Sequence, residues 1–315
     1  MKEKFHKSKL LPKDKLRALM SKRDRPAILR FLITFSFWVI TGAWVVMSWG
    51  GSWLLMIASH FVFGLFCTSM FAALHESGHG TAFKSRNLNR IVATIAGIAH
   101  MYPAHIFREL HFAHHRYTHI PGKDPEISIG DQPAPSILTN PPLYLAFLTG
   151  LPFLLLKVTI TLLGLIGSPE FTRQKFTPYI RPKMRAQIVV ESLFFFLIYG
   201  GFIFLAIYVH AGFWGIFTGQ IVGHGLLSMY LVFEHNGLPH EGSILERTRS
   251  ISTNQFINFF LWNMPYHAEH HAYPAVPFHA LPELHQALKS ELKHQGKGLT
   301  ALHVETVRNQ LRSGE

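Results

Sequence analysis

Five apolar runs, bordered by polar or turn residues, set the pattern of this chain. Phe31–Trp49 and Ser52–Leu74 carry no charge and are parted only by Gly50-Gly51. Each is close to the roughly 20 residues a helix needs to cross the hydrocarbon of a bilayer. Two such runs around a glycine turn predict a transmembrane hairpin. Trp38, Trp44, Trp49 and Trp53 gather toward its turn, as interfacial aromatics do. Ile188–Val209 and Phe213–Phe233, parted by His210-Ala211-Gly212, predict a second hairpin. The fifth run, Leu143–Ile166, is entered through Pro141-Pro142 and contains Pro152 and Lys157.

Charge assigns sides. Residues 1–30 hold eleven Lys or Arg against three acids, immediately before the first apolar run. A basic arm in that position reads as a juxtamembrane anchor rather than as a nucleic-acid arm or a signal peptide. The positive-inside rule puts this arm in the cytoplasm. It does the same for 168–185, which carries Arg173, Lys175, Arg181, Lys183 and Arg185 against Glu170. Leu143–Ile166 then begins and ends on one side, as an interfacial or re-entrant segment. The expected fold is an all-α polytopic membrane protein. It has four transmembrane helices in two hairpins, that interfacial or re-entrant segment, and a cytoplasmic helical cap. Its expected divisions are a basic arm (1–30), a membrane domain (31–290) and a C-terminal tail (291–315). Both termini are expected in the cytoplasm, with the protein in an inner or plasma membrane.

Composition agrees with this picture. The chain is 48% apolar and 15% charged, against about 25% charge in soluble domains, and its mean hydropathy is +0.18. One cysteine, Cys67, excludes a disulfide framework and a Cys-rich metal site. The 21 histidines outnumber the 18 Asp and Glu together, which asks for a chemical explanation.

Three clusters supply it. His75-Glu76-Ser77-Gly78-His79 stands at the expected cytoplasmic end of the second span. His111-Phe112-Ala113-His114-His115 and His267-Ala268-Glu269-His270-His271 repeat a His-x-x-His-His spacing. On a helix, positions i, i+3 and i+4 share a face. Eight imidazoles are too many for one tetrahedral zinc and suit two metals of higher coordination number; imidazole alone does not name the metal. The carboxylates that would orient such ligands are sought among Glu76, Glu109, Asp124, Glu126, Glu234 and Glu269, with Glu76 and Glu269 preferred because they lie inside boxes. Taken alone, His75-Glu76-x-x-His79 is also the zinc-protease pattern, with the glutamate as general base.

In its boxes HESGH, HFAHH and HAEHH, in this order, the chain resembles the membrane fatty acid desaturase superfamily. The flanking strings HRYTH…KDPEI (115–127), EHNGLPH (234–240) and WNMPYHAEHHAYPAVPFHALPELH (262–285) carry the likeness further, over roughly residues 30–290. The resemblance implies a non-haem di-iron centre, O2 as co-substrate and a fatty acyl or lipid substrate. It also implies electrons from a separate carrier of ferredoxin, rubredoxin or cytochrome b5 type with its reductase. Related hydroxylases have a Glu-His-x-Gly element like Glu234-His235-Asn236-Gly237 that supplies a ligand, which makes His235 the ninth candidate; His119 ranks below it. The expected function is lipid desaturation. The alternatives are a hydroxylase or a decarboxylase forming terminal alkenes, an HExxH membrane zinc protease, and a lipid-binding or transport protein without catalysis. No nucleotide loop, dinucleotide fingerprint or haem motif is present, so the electrons are expected from a partner.

Overall fold

The computed structural model describes residues 10–129, 132–133, 136–166 and 177–313. Residues 1–9 of the basic arm and 168–176 of the loop 168–185 lie outside the described residues. The regular structure among the described residues is almost wholly helical. A short α1 (Lys13–Leu19) leads to α2 (Asp24–Ser48) and α3 (Trp53–His79), the first hairpin. Gly50 makes its turn with φ +77°, a left-handed conformation that side chains resist. Ser48 and Ser59 join the two helices beside it through their hydroxyls, 2.8 Å apart.

Both helices outrun the apolar runs that predicted them. α2 begins before Phe31, and α3 continues five residues past Leu74, which draws the whole first histidine box into its last turns. Gly80, at φ +73°, ends α3 directly after His79, and its N–H donates to the Ser77 carbonyl. Two amphipathic helices follow. α4 (Arg86–Ala99) is N-capped by Ser85 and packs Val92, Ala93 and Ala96 inward. α5 (Ala104–Tyr117) carries the second box.

The run Leu143–Ile166 forms α6 (Pro141–Leu148) and α7 (Leu151–Ile166), bent by 67° at Gly150. Such a bend makes either a broken span or a re-entrant loop, in line with the segment's Pro and Lys. The second hairpin is α8 (Arg185–Tyr208) and α9 (Trp214–Leu231). Three helices, α2, α3 and α8, are long and apolar enough to cross a membrane, or four spans if the bent pair counts as one. α9, expected as a full apolar span, is shorter and more polar. Its Gln220 and His224 are buried; Gln220 donates to the Ala99 carbonyl at 2.6 Å, and His224 Nδ1 lies 2.8 Å from the Gln220 carbonyl. Outward, α2 and α8 expose residues such as Leu32, Ile40, Phe194 and Ile207, a surface suited to lipid.

α3 and α9 pack backbone to backbone. A Cβ added at Gly223 would lie 2.6 Å from the Cβ of Cys67, and one at Gly64 would lie 3.0 Å from the Gly223 nitrogen. Small residues let membrane helices approach where no hydrophobic force draws them together. Thr68 donates across the seam to the Gly223 carbonyl at 3.0 Å.

The cap is built from the C-terminal third: α10 (Gln255–Phe260), α11 (His267–Ala272) with the third box, α12 (Leu281–Leu288) and α13 (Leu299–Ser313). A two-residue parallel ladder, Ser250–Ile251 with Gln295–Gly296, ties its ends together. The Leu281, Leu284 and Leu288 stripe of α12 is wholly buried. The basic N-terminal segment sits at this same end, where Lys22 donates to the Gly80 carbonyl at 2.6 Å and Leu10 N–H to the Tyr273 hydroxyl.

The α3–α9 seam yields a test. Gly223→Val should destabilise the protein by about 1–3 kcal/mol, the usual range for overpacking, read as a lower melting temperature in detergent. Gly200→Val, where an added Cβ meets nothing within 4 Å, should leave it unchanged.

Candidate metal centre

Four segments bring nine imidazoles together at the cap end of the bundle. One cluster is His75, His79, His111, His115 and His270; the other is His114, His235, His267 and His271. In each cluster the potential ligand atoms lie within 4.8 Å of one another. The division follows helix geometry. Residues i and i+4 lie about 40° apart around a helix, whereas i+3 falls on the other side of i. Thus His75 with His79, His111 with His115 and His267 with His271 each stay in one cluster, while His114 and His270 cross to the other.

The inward nitrogens have the spacing of a coordination shell. His79 Nε2 is 2.8 Å from His111 Nε2 and 3.1 Å from His270 Nε2, and His115 Nε2 is 3.0 Å from His111 Nε2. In the second cluster His267 and His235 stand 2.8 Å apart, and His114 and His271 3.2 Å, again through Nε2. Two nitrogens bound at right angles about 2.1 Å from one ion are about 3.0 Å apart.

Proton bookkeeping supports a cation at the second cluster. His235 Nδ1 faces the Arg247 carbonyl at 2.9 Å, His267 Nδ1 faces Glu234 at 3.1 Å, and His114 Nδ1 faces both oxygens of Asp124 at 3.0 Å. His271 Nδ1 lies 3.2 Å from the Thr118 hydroxyl, which itself donates to the His114 carbonyl. His235, His267 and His271 can thereby carry a proton on Nδ1 and turn an Nε2 lone pair inward. Lone pairs so close in a buried site repel unless a positive charge stands among them. In the first cluster His75 Nδ1 likewise meets Glu76 at 3.0 Å. Burial, reinforced by neighbouring imidazoles, pushes His111, His115, His235, His267, His270 and His271 well below the ordinary imidazole range, so they are neutral, the form that binds metal.

His114 differs. Burial pulls its imidazole down, but Asp124 and Glu126 outweigh that and hold it up to about 9. Burial alone would raise Asp124; His114 and the N–H groups of His119 and Glu126 keep it below the usual carboxylate range.

The other candidates sort themselves. Sequence adjacency preferred Glu76 and Glu269 as orienting acids. Glu76 does meet a box histidine, and so do Asp124, Glu234 and, at 3.5–3.7 Å, Glu126. Glu269 corrects the expectation. Two residues on from His267, it points to the opposite side of α11, where Ser250 and His285 donate to its carboxylate. Glu109 pairs with Arg181 instead. His119, at φ +59°, joins neither cluster, and its Nδ1 meets the Pro239 carbonyl. Asn263 donates to the Phe278 carbonyl. The sequence reading missed Thr118 and the Arg247 carbonyl as partners of ligand nitrogens. Thr118 was legible only as part of HRYTH, and no signal marks a backbone carbonyl.

Both clusters open onto one cavity of about 540 Å³. His75, His111, His114, His235 and His267 line its polar end, and Phe71, Tyr102, Phe107, Phe153 and Leu156 line its apolar body.

The fatty acid desaturase profile matches residues 51–302. The chain belongs to this family. A sphingolipid delta(4)-desaturase of Schizosaccharomyces pombe is 28% identical over 71% of the chain, and the match covers 59% of that protein, under two thirds of its length. A Rattus norvegicus sphingolipid delta(4)-desaturase/C4-monooxygenase is 26% identical over 77% of the chain and 68% of its own length. An sn-1 oleoyl-lipid 12-desaturase of a Picosynechococcus strain is 35% identical over 21% of the chain and 19% of its own. The family match does not favour the protease alternative, and the name of the Rattus norvegicus relative joins a desaturase to a monooxygenase.

Three substitutions test the assignment of this desaturase-family site. Asp124→Asn removes the charge behind His114 and should lower metal affinity roughly 10–100-fold. His235→Ala should lose metal where His119→Ala keeps it. Elemental analysis after dialysis against a graded chelator measures all three, and full metal retention in His235→Ala would remove that residue from the ligand set.

Proposed function

We propose that this chain is an O2-dependent di-iron desaturase of a fatty acyl or lipid chain. The observation that carries the reading is the pair of histidine clusters, five and four imidazoles, at the head of an apolar cavity in a membrane-spanning bundle. His75, His79, His111, His115 and His270 would hold one iron, and His114, His235, His267 and His271 the other. When bound, the irons supply the power to reduce O2 and break unactivated C–H bonds.

The chain's own residues do the rest. The aromatic walls admit a hydrocarbon chain and exclude water. Glu76, Asp124 and Glu234 fix ring orientation and tautomer from behind the ligands. Glu76 and Glu269 are positioning residues: the first holds His75, the second anchors α11 to Ser250 and His285. Glu76 Oε1 meets Nδ1 of its neighbour His75, the position of an orienting acid. Removing two hydrogens while reducing O2 to two waters consumes two electrons and two protons. A ferredoxin, rubredoxin or cytochrome b5 type carrier with its reductase would bring the electrons to the cap.

The basic segment and the clusters share one end of the bundle, since Lys22 reaches Gly80, the residue after His79. The positive-inside rule then sets that end, with both termini, in the cytoplasm of an inner or plasma membrane.

Protein purified without chelators should hold about two irons. Cells expressing it should gain an unsaturated lipid that cells expressing His270→Ala lack, because His270 Nε2 touches both His79 and His115. Lipid profiling with elemental analysis decides the matter. Active protein with stoichiometric zinc and no iron would overturn the reading.

A further inference from the structure

The cavity has a second polar pole, away from the histidine clusters. Lys157 of α7 lines it and is 1% exposed. Its Nζ lies 2.9 Å from His100 Nε2 and 3.1 Å from His224 Nε2. Both rings turn Nδ1 to a backbone carbonyl, His100 to Cys67 at 3.0 Å and His224 to Gln220 at 2.8 Å. Their protons therefore sit on Nδ1, and each Nε2 accepts from the lysine. The remaining surroundings are aromatic, with the Phe153, Tyr102 and Phe71 ring centroids 4.0, 5.0 and 5.5 Å from Nζ. Among the described residues no carboxylate contacts this amine, and two of its three N–H groups are used.

A lysine in hydrocarbon without an anion is costly, and two neutral rings compensate only in part. A methionine would fill the same space at less cost. The fold nonetheless builds the lysine's seat. Gly150, at φ +71°, breaks the helix just before α7, and a Cβ there would lie 2.2 Å from the Gly225 nitrogen, so the break is pressed against α9 beside His224. Broken helices inside membranes are tolerated where they line a cavity, and they commonly carry its binding groups.

The position relative to the clusters is short. His100 bonds at the level of Cys67, eight residues or about 12 Å of helix rise before His75. Phe71 stands between the two poles, its ring centroid 6.4 Å from that of His75.

We propose that Lys157, held by His100 and His224, is a substrate subsite within the bilayer. It binds an acceptor oxygen, a carboxylate foremost, on the part of the lipid that reaches past the metals. The substrate of this cavity is then a lipid whose oxygen group lies a short methylene run from the reacting carbon. The proposal rests on the lipid-oxidising reading of the cavity, but its test reads binding and not turnover.

Iron-loaded protein in nanodiscs is titrated with dodecane and with dodecanedioate, which has a carboxylate whichever end enters, each competing against a fluorescent fatty acid. The native protein should bind dodecanedioate at least about 10-fold tighter, as a charge-assisted hydrogen bond gives. Lys157→Met should lose that preference while its affinity for dodecane and its iron content stay unchanged. Lys157→Gln, which can still donate to the imidazoles but carries no charge, should lose it too. The proposal falls if the native protein shows no preference, or if the preference survives in either variant. It also falls if both probes weaken together, as they would were Lys157 only a strut. Oxidation of lipid without the preference sinks this proposal alone; the preference without any lipid oxidation sinks the desaturase reading alone.

Discussion

Imidazole nitrogens converge to 2.8–3.2 Å in a buried space, and the rest of the structure is arranged around that constraint. Every outward Nδ1 given to a carboxylate, a hydroxyl or a carbonyl commits the opposite nitrogen to the centre. The cost of holding those nitrogens together must come from packing elsewhere, because until cations arrive they gain nothing from each other. This explains why the boxes sit on rigid elements. α3 delivers its box from a helix clamped by the α3–α9 seam, α5 from an amphipathic helix laid against the bundle, and α11 from a short helix fastened by Glu269 to Ser250 and His285. His235 alone stands on a turn, and the Arg247 carbonyl and the left-handed Gly237 after it hold that turn in place.

Much of this could be read from the sequence. Apolar runs located the spans, and the spacing i, i+3, i+4 located eight histidines. The Glu-His-x-Gly resemblance pointed to the ninth. The helix ends were less legible, because a helix that leaves the bilayer need not stop where its apolar residues do: α3 runs on through His79 under the control of Gly80 rather than of hydropathy. The acids misled for a related reason. Closeness in sequence favoured Glu269, yet a residue two positions along a helix faces away from its neighbour's ligand. Asp124, ten residues beyond His114, returns to it because the chain turns at Thr118–His119 and the His119 N–H closes the loop onto the carboxylate. Such returns depend on loop geometry, which carries no periodic signal.

The fold's two departures from a simple four-span bundle are one feature seen from two sides. α9 is too polar to face lipid, and α6–α7 is too broken to cross as one rod. Set together, they answer each other. The bend at Gly150 lets α7 lie against α9 where Gly225 leaves room, and this covers His224 with Lys157 while the end of α4 covers Gln220 through Ala99. A straight α7 would leave His224 without Lys157, and an apolar α9 would leave Lys157 with His100 alone as acceptor. Lys157 and His224, which spoil their runs as transmembrane spans, are thus partners of each other, with the end of α4 supplying the rest. What they enclose between them is a chamber inside the membrane with the histidine clusters at one pole, an amine at the other and aromatic walls between.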